Sequence, residues 1–168
     1  TRFKCDWSSD VCSSDLPWAA QRRCLLTQLR FAVNAGIDVV QVRERDLDAA
    51  VLFGLVCDCV DIAAGSRTRI VVNDRIDVAL AAGAHGVHLR GDSLPPSVAR
   101  SIVPHRFLIG HSVHDAESAA AAGRQVDYLI AGTVWPTASK PAGHPLLGVD
   151  GLARIVRAAA VPVLAIGG

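Results

Sequence analysis

The residues able to do chemistry in this chain are bunched into short polar clusters. In order they are Gln41-Val-Arg43-Glu-Arg45, Asn73-Asp74-Arg75, His88-Leu-Arg90-Gly-Asp92, Gly110-His-Ser112-Val-His114, Gly132-Thr133 running into Pro136-Thr137-Ala-Ser139-Lys140, and Gly167-Gly168. Arg43, Arg45, Arg75, Arg90 and Lys140 are suited to phosphate or pyrophosphate, because charge-assisted hydrogen bonds favour dianionic oxygens. Asn73, Ser112, Thr137 and Ser139 add amide and hydroxyl donors. Asp74 and Asp92 offer hard oxygen ligands for Mg2+, an ion that commonly bridges protein carboxylates and substrate phosphates. Gly167 and Gly168 let backbone amides approach an anion closely.

Each residue also has a plainer reading. Any single arginine could be a solvated charge or a partner for Glu44 or Asp46. Asp77 could cap a helix, and His85 and His105 read as surface loop residues. Gly36, Gly83 and Gly123 read as helix stops. Glu44 alternates with Arg43 and Arg45 along the chain, which points it the other way and suggests a structural salt bridge. The weight lies in the set rather than in any member.

The elements that position these clusters alternate regularly. Pro17 to Ala35 has apolar residues at helical spacing, with Pro17 suited to a first turn and Gly36 to a cap. Ile37–Val42 is a β-branched run expected of a strand covered on both faces. The pattern predicts helices over Leu47–Ala64, Asp77–Ala84, Pro95–Val103, Ala116–Ala122 and Val149–Ala159. It predicts further strands over Arg69–Val72, Gly86–Leu89, Phe107–Ile109, Tyr128–Ala131 and Val161–Ile166. Strands and helices alternate with no hairpin signal, so the sheet is expected to be parallel.

An open doubly wound sheet usually carries a glycine fingerprint after its first strand, and none is present. Polar clusters at the carboxyl end of nearly every strand are instead the arrangement of a (β/α)8 TIM barrel whose active site is its top face. Such a barrel typically needs about 250 residues, though about 200 can suffice, and this chain has 168. The expectation is an incomplete barrel lacking its first strand, its seventh helix and the last βα unit. Open edges of that kind predict poor solubility or homo-oligomers.

Residues 1–16 show neither period. Asp6 to Leu16 is similar to a frame translation of a sequencing-library adapter, so 1–16 is expected to be a non-native leader and 17–168 the partial barrel domain. The chain is 51% hydrophobic with a net charge of +1. That balance argues against a nucleic-acid partner, and no apolar run approaches the roughly 20 residues that cross a bilayer. Neither a signal peptide nor a lipidation site is evident. Of the five cysteines, Cys24, Cys57 and Cys59 read as buried, reduced thiols, which suits a cytoplasmic protein.

The motifs resemble those of the thiamine phosphate synthase and TenI family across essentially all of residues 17–168. They are Gln41-Val-Arg43-Glu-Arg45-Asp46, Val72-Asn73-Asp74-Arg75-Ile-Asp77, Gly86-Val-His88-Leu89, Gly110-His-Ser112-Val-His114, Asp127-Tyr128, Trp135-Pro136-Thr137-Ala-Ser139-Lys140, Gly148 and Ala165-Ile-Gly167-Gly168. The resemblance implies a transferase that joins hydroxymethylpyrimidine pyrophosphate to thiazole phosphate with Mg2+, releasing pyrophosphate. It implies that Gln41, Arg43, Arg45, Asn73 and Lys140 hold the pyrophosphate and pyrimidine, with Asp74 on the metal. Ser112 would contact the pyrimidine, and Thr137, Ser139 and Gly168 the thiazole phosphate. No protein nucleophile is required, so catalysis would be electrostatic and positional.

Three positions depart from the family pattern. Arg45 stands where lysine is usual, and Thr133 where a proline commonly precedes Val134. Arg90-Gly-Asp92-Ser93 replaces Gly-Gln-x-Asp, so Ser93 fills the position of the second metal ligand and Asp92 stands one residue early. The family's other branch, thiazole tautomerase, is the alternative, with His114 as its acid or base. A non-catalytic thiazole-phosphate-binding protein is a third reading. The thiazole-phosphate half of the site stops at Gly168, so this chain by itself is expected to be inactive.

Overall fold

In the computed structural model, which describes residues 17–44, 46–137 and 143–167, helices and strands alternate in the order the sequence predicts. Helix α1 (Trp18–Asn34) follows Pro17, whose fixed φ suits a helix start. It ends where Gly36 takes a left-handed φ of 70° and turns the chain into β1 (Val39–Val42). Helix α2 (Ala49–Ala63) buries one stripe of Leu52, Leu55, Val56, Cys59 and Ala63. Strand β2 (Arg69–Asn73) pairs parallel with β1, from Val39↔Arg69 to Val42↔Val72. Its consecutive Ile70, Val71 and Val72 are all buried, as a strand covered on both faces requires. Helix α3 (Ile76–Ala81) closes this first compact unit, which ends at Gly86.

The second compact unit starts at Val87. It contains most of β3 (Gly86–Leu89), then α4 (Pro96–Ile102), β4 (Leu108–Val113), α5 (Ala116–Ala122), β5 (Tyr128–Ala131), α6 (Gly148–Ala158) and β6 (Val163–Ala165). Strands β4 and β5 are parallel in the register Gly110↔Tyr128 to Val113↔Ala131, and β5 pairs with β6 from Leu129↔Val163. Val87, Leu89, Ile109, Val113, Leu129 and Ile155 form the core. Asp127 ties the entry to two strands together: its Oδ2 accepts from the Ile109 amide and from Arg100 Nη2, each at 2.7 Å. Arg100 also donates to the carbonyls of Phe107 and Gln125, so one guanidinium joins α4 to the starts of β4 and β5.

Three expectations need correction. Strand β4 was expected to stop at Ile109 but runs on to Val113, because its ladder with β5 continues past Gly110. Ser112 therefore lies within a strand rather than in a loop after one. His85 is no surface residue: it is half-buried, and the Ile70 amide donates to its Nδ1 at 3.0 Å. Burial, aided by the Arg69 charge, pushes its pKa down. Cys57 and Cys59 are free thiols, but Cys24 is disulfide-bonded. The expected leader over 1–16 lies outside the described residues.

Candidate active site

In the first unit, the register of β1 on β2 brings Gln41 to Asn73. The Gln41 Nε2 donates to Asn73 Oδ1 at 3.0 Å, and Asn73 Nδ2 lies 3.4 Å from Asp74 Oδ2. Strand β2 ends in a three-residue turn, with the Arg75 amide donating to the Asn73 carbonyl at 2.7 Å. At its centre Asp74 has φ 59°, the one non-glycine residue with positive φ among those described. Such a conformation is uncommon for a side chain other than Asn or Asp, and it clusters at ligand sites. Two amide side chains and an aspartate at the ends of adjacent strands can bind oxyanions directly or through a divalent cation. Arg43, exposed, lies one residue beyond the end of β1.

Two expected site cations are occupied locally. Arg75 makes a two-pronged contact with Asp77, Nε to Oδ1 at 2.9 Å and Nη2 to Oδ2 at 2.6 Å. Arg90 grips Asp92 in the same way, at 2.9 and 2.5 Å. The Arg75 hydrogen bonds hold the Asp77 carboxyl below the usual carboxylate range. Both Asp92 oxygens thus already serve a guanidinium. Among the described residues no three His, Cys, Asp or Glu side chains are grouped to hold a metal. Mg2+ is usually bound by one or two carboxylates plus substrate phosphates, so Asp74 fits that donor set. Glu44 has no ion pair among the described residues; burial and then the Asp46 charge push its pKa up.

In the second unit Ser112 belongs to a polar trio built around the buried His88. His88 Nε2 lies 2.8 Å from Ser112 Oγ, and its Nδ1 lies 3.3 Å from the Tyr128 hydroxyl. The His88 and Tyr128 rings are stacked, with centroids 5.6 Å apart. A neutral imidazole has one donor and one acceptor nitrogen, and each hydroxyl can play either part, so either tautomer makes both contacts. Ser112 is the half-buried end of this chain, oriented by His88. Roles for His88 and Tyr128 were missed by the sequence reading. The available signal was Gly110, which faces Tyr128 in register and leaves room for its ring.

His114 is exposed, with Nδ1 2.5 Å from the Gly132 carbonyl oxygen. Thr137 is half-buried at the edge of the described segment. Arg45, Ser139, Lys140 and Gly168 lie outside the described residues.

Parallel strands joined by helices, with polar side chains at strand ends, define an α/β protein of the barrel type. Residues 12–168 match the family model of thiamine monophosphate synthase. A putative thiamine-phosphate synthase of Geobacter sulfurreducens is 41% identical over 147 residues, 87% of this chain and 69% of that protein. A thiamine-phosphate synthase of Methanospirillum hungatei is 40% identical over 139 residues, 82% of this chain and 67% of that one. The solved thiamine phosphate pyrophosphorylase from Pyrococcus furiosus superposes with a TM-score of 0.74 at 33% identity, covering 85% of this chain and 68% of that one.

The chain belongs to the thiamine monophosphate synthase family. It spans about two-thirds of the length of these relatives. The expected fold, part of a (β/α)8 barrel, is borne out. No helix among the described residues is long and apolar enough to cross a membrane.

Proposed function

We propose that the intact protein is a thiamine phosphate synthase, a transferase that joins hydroxymethylpyrimidine pyrophosphate to thiazole phosphate. The carbon–oxygen bond to pyrophosphate breaks, the thiazole nitrogen takes the freed pyrimidine methylene, and pyrophosphate leaves. The observation that carries this reading is the strand-end turn in which Gln41, Asn73 and Asp74 are linked, with Asp74 held at φ 59°. A tautomerase has no pyrophosphate to neutralise.

In this reading Asp74 holds Mg2+, which when bound offsets charge on the pyrophosphate oxygens. Asp92, in contact with Arg90, is the other candidate carboxylate. Gln41 and Asn73 donate to pyrophosphate or pyrimidine, with Arg43, Arg45 and Lys140 supplying positive charge to the leaving group. Ser112, oriented by His88, meets the pyrimidine, and Thr137, Ser139 and Gly168 receive the thiazole phosphate. Preorganised donors of this kind act on charge as it develops, and no covalent intermediate on the protein is needed. The ligands are small phosphates, and a cytoplasmic location goes with this reading.

One observation favours the second reading, thiazole tautomerase: the His114–Gly132 contact leaves Nε2 as the ring nitrogen available for proton transfer. The test is to assay the full-length protein for thiamine phosphate with and without Mg2+. Mg2+-dependent product that Asp74→Ala abolishes supports the synthase. Tautomerisation alone, lost in His114→Ala, would overturn it, and binding of thiazole phosphate with neither activity would identify a binding protein.

A further inference from the structure

We propose that His114 is a positioning residue whose Nδ1–H holds the Gly132 carbonyl and so sets the protein's grip on its phosphorylated thiazole substrate. This inference rests on the synthase reading above and adds to it a residue that acts through the backbone rather than on the reacting atoms.

Strand β5 ends at Ala131. The next amide, of Gly132, still donates to the Val113 carbonyl at 3.3 Å. The Gly132 carbonyl has left the ladder, and a backbone acceptor in that position needs another donor. His114 supplies it at 2.5 Å. A carbonyl oxygen only accepts, so the proton sits on Nδ1, and in the neutral ring the lone pair is on Nε2. The other edge of the ring faces the Arg90–Asp92 stretch: a Cβ on Gly91 would lie 3.8 Å from His114 Cδ2 and 3.9 Å from Nε2.

The segment that follows is anchored at every residue. The Val134 amide donates to the Ile166 carbonyl at 2.9 Å, and the Trp135 amide to the Gly167 carbonyl at 3.2 Å. The Thr133 and Val134 carbonyls accept from Leu147 at 2.9 Å and Gly148 at 3.2 Å, at the start of α6. Neither glycine flanking this stack has space for a side chain: a Cβ on Gly132 would meet Ile166 Cγ1 at 2.6 Å, and one on Gly167 would meet Thr133 Cγ2 at 2.5 Å. His114 therefore fixes the root of a clamped segment whose continuation is Pro136-Thr137, the first of the groups assigned to the thiazole phosphate. Loosening the root costs preorganisation of that anion site and leaves the Ser112 side of β4 in place.

Two measurements on the full-length protein test this. The first is nitrogen-15 NMR of the histidine rings without substrate, with His114 assigned by its absence in His114→Asn. The neutral ring is expected as the Nδ1–H tautomer, the less common one in free histidine, and an Nε2–H tautomer would overturn the proposal. The second is a comparison of three variants. His114→Ala is expected to raise the KM for thiazole phosphate about tenfold, the scale of one lost hydrogen bond, with kcat and the KM for the pyrimidine substrate changed less than twofold. His114→Asn, whose amide nitrogen falls where Nδ1 was, should recover most of that loss, and His114→Gln should not. A fall in kcat, or no recovery in His114→Asn, would overturn the positioning role. If the wild type forms no thiamine phosphate, the synthase reading fails by itself. The tautomer and the calorimetric affinities of the three variants for thiazole phosphate then still decide the role of His114.

Discussion

Gly110 and Tyr128 face each other across β4 and β5 so closely that a Cβ on Gly110 would fall 2.2 Å from Tyr128 Cζ and 2.5 Å from His88 Nδ1. The missing side chain is the space in which the tyrosine lies against the histidine. Gly110→Ala must displace one of the two rings, and overpacking of this kind costs about 1–3 kcal/mol. A thermal melt is expected to fall by several degrees, together with a rise in the KM for the pyrimidine substrate. An unchanged melt would mean that the trio has slack which the distances deny.

Asp74 combines a charge with a left-handed backbone, and two substitutions separate them. Asn accepts positive φ nearly as readily as Asp, so Asp74→Asn should leave stability within about 0.5 kcal/mol. Ala does not, and Asp74→Ala should lose about 1 kcal/mol in chemical denaturation. Both should abolish Mg2+-dependent activity. Retention of Mg2+ dependence in Asp74→Asn would remove Asp74 from the metal.

If Asp92 is a metal ligand, Arg90 competes with Mg2+ for it. The Arg90–Asp92 pair is 40% and 71% exposed, and exposed pairs contribute about 0.2–1 kcal/mol. If Asp92 serves as second ligand, Arg90→Ala should strengthen apparent Mg2+ affinity by up to about fivefold in a metal titration of activity. An unchanged titration would leave Asp74 as the only aspartate on the ion.

Asp115 caps α5, its carboxylate accepting from the Ser118 amide at 2.7 Å and from the Ser118 hydroxyl at 2.5 Å. Those hydrogen bonds hold its pKa below the ordinary value of 3.8. A depressed acid stabilises the fold above its unfolded pKa, and that stability is lost as pH falls through the folded one. Asp115→Ala should therefore cost about 1 kcal/mol at pH 7. The gap to wild type should shrink when denaturation is repeated below about pH 4.

Glu44 behaves oppositely. Burial and the Asp46 charge raise its pKa above 4.5, so the folded protein holds this proton more tightly than the unfolded chain does. Stability from that proton is complete below the unfolded pKa and disappears as pH rises through the folded one. Glu44→Gln should stabilise the protein at pH 7 and give no advantage near pH 4. A Glu44→Gln protein less stable than wild type at neutral pH would restore the salt-bridge role read from the sequence.

Much of the fold was legible because its causes are local. Period-two and period-3.6 patterns, Pro17 before α1 and Gly36 after it depend on residues a turn apart, and the observed elements follow them to within a few residues. The end of β4 was misjudged because Gly110, His111 and Ser112 look like a strand terminus until the partner strand is known. The Arg75–Asp77 and Arg90–Asp92 grips were open to inference, since each arginine has an acid two residues on. Reading those arginines as free phosphate ligands passed over their nearest acids.

By itself the sequence determined the alternation of strand and helix, the family, and the set of polar residues gathered at strand ends. Hydrophobic period and residue chemistry act over a few positions and survive without coordinates. Only the tertiary structure decided that Gln41 meets Asn73, that His88 orients Ser112, and that His114 holds Gly132. Each of those contacts joins residues brought together by strand register, and register is a property of paired strands rather than of either strand alone.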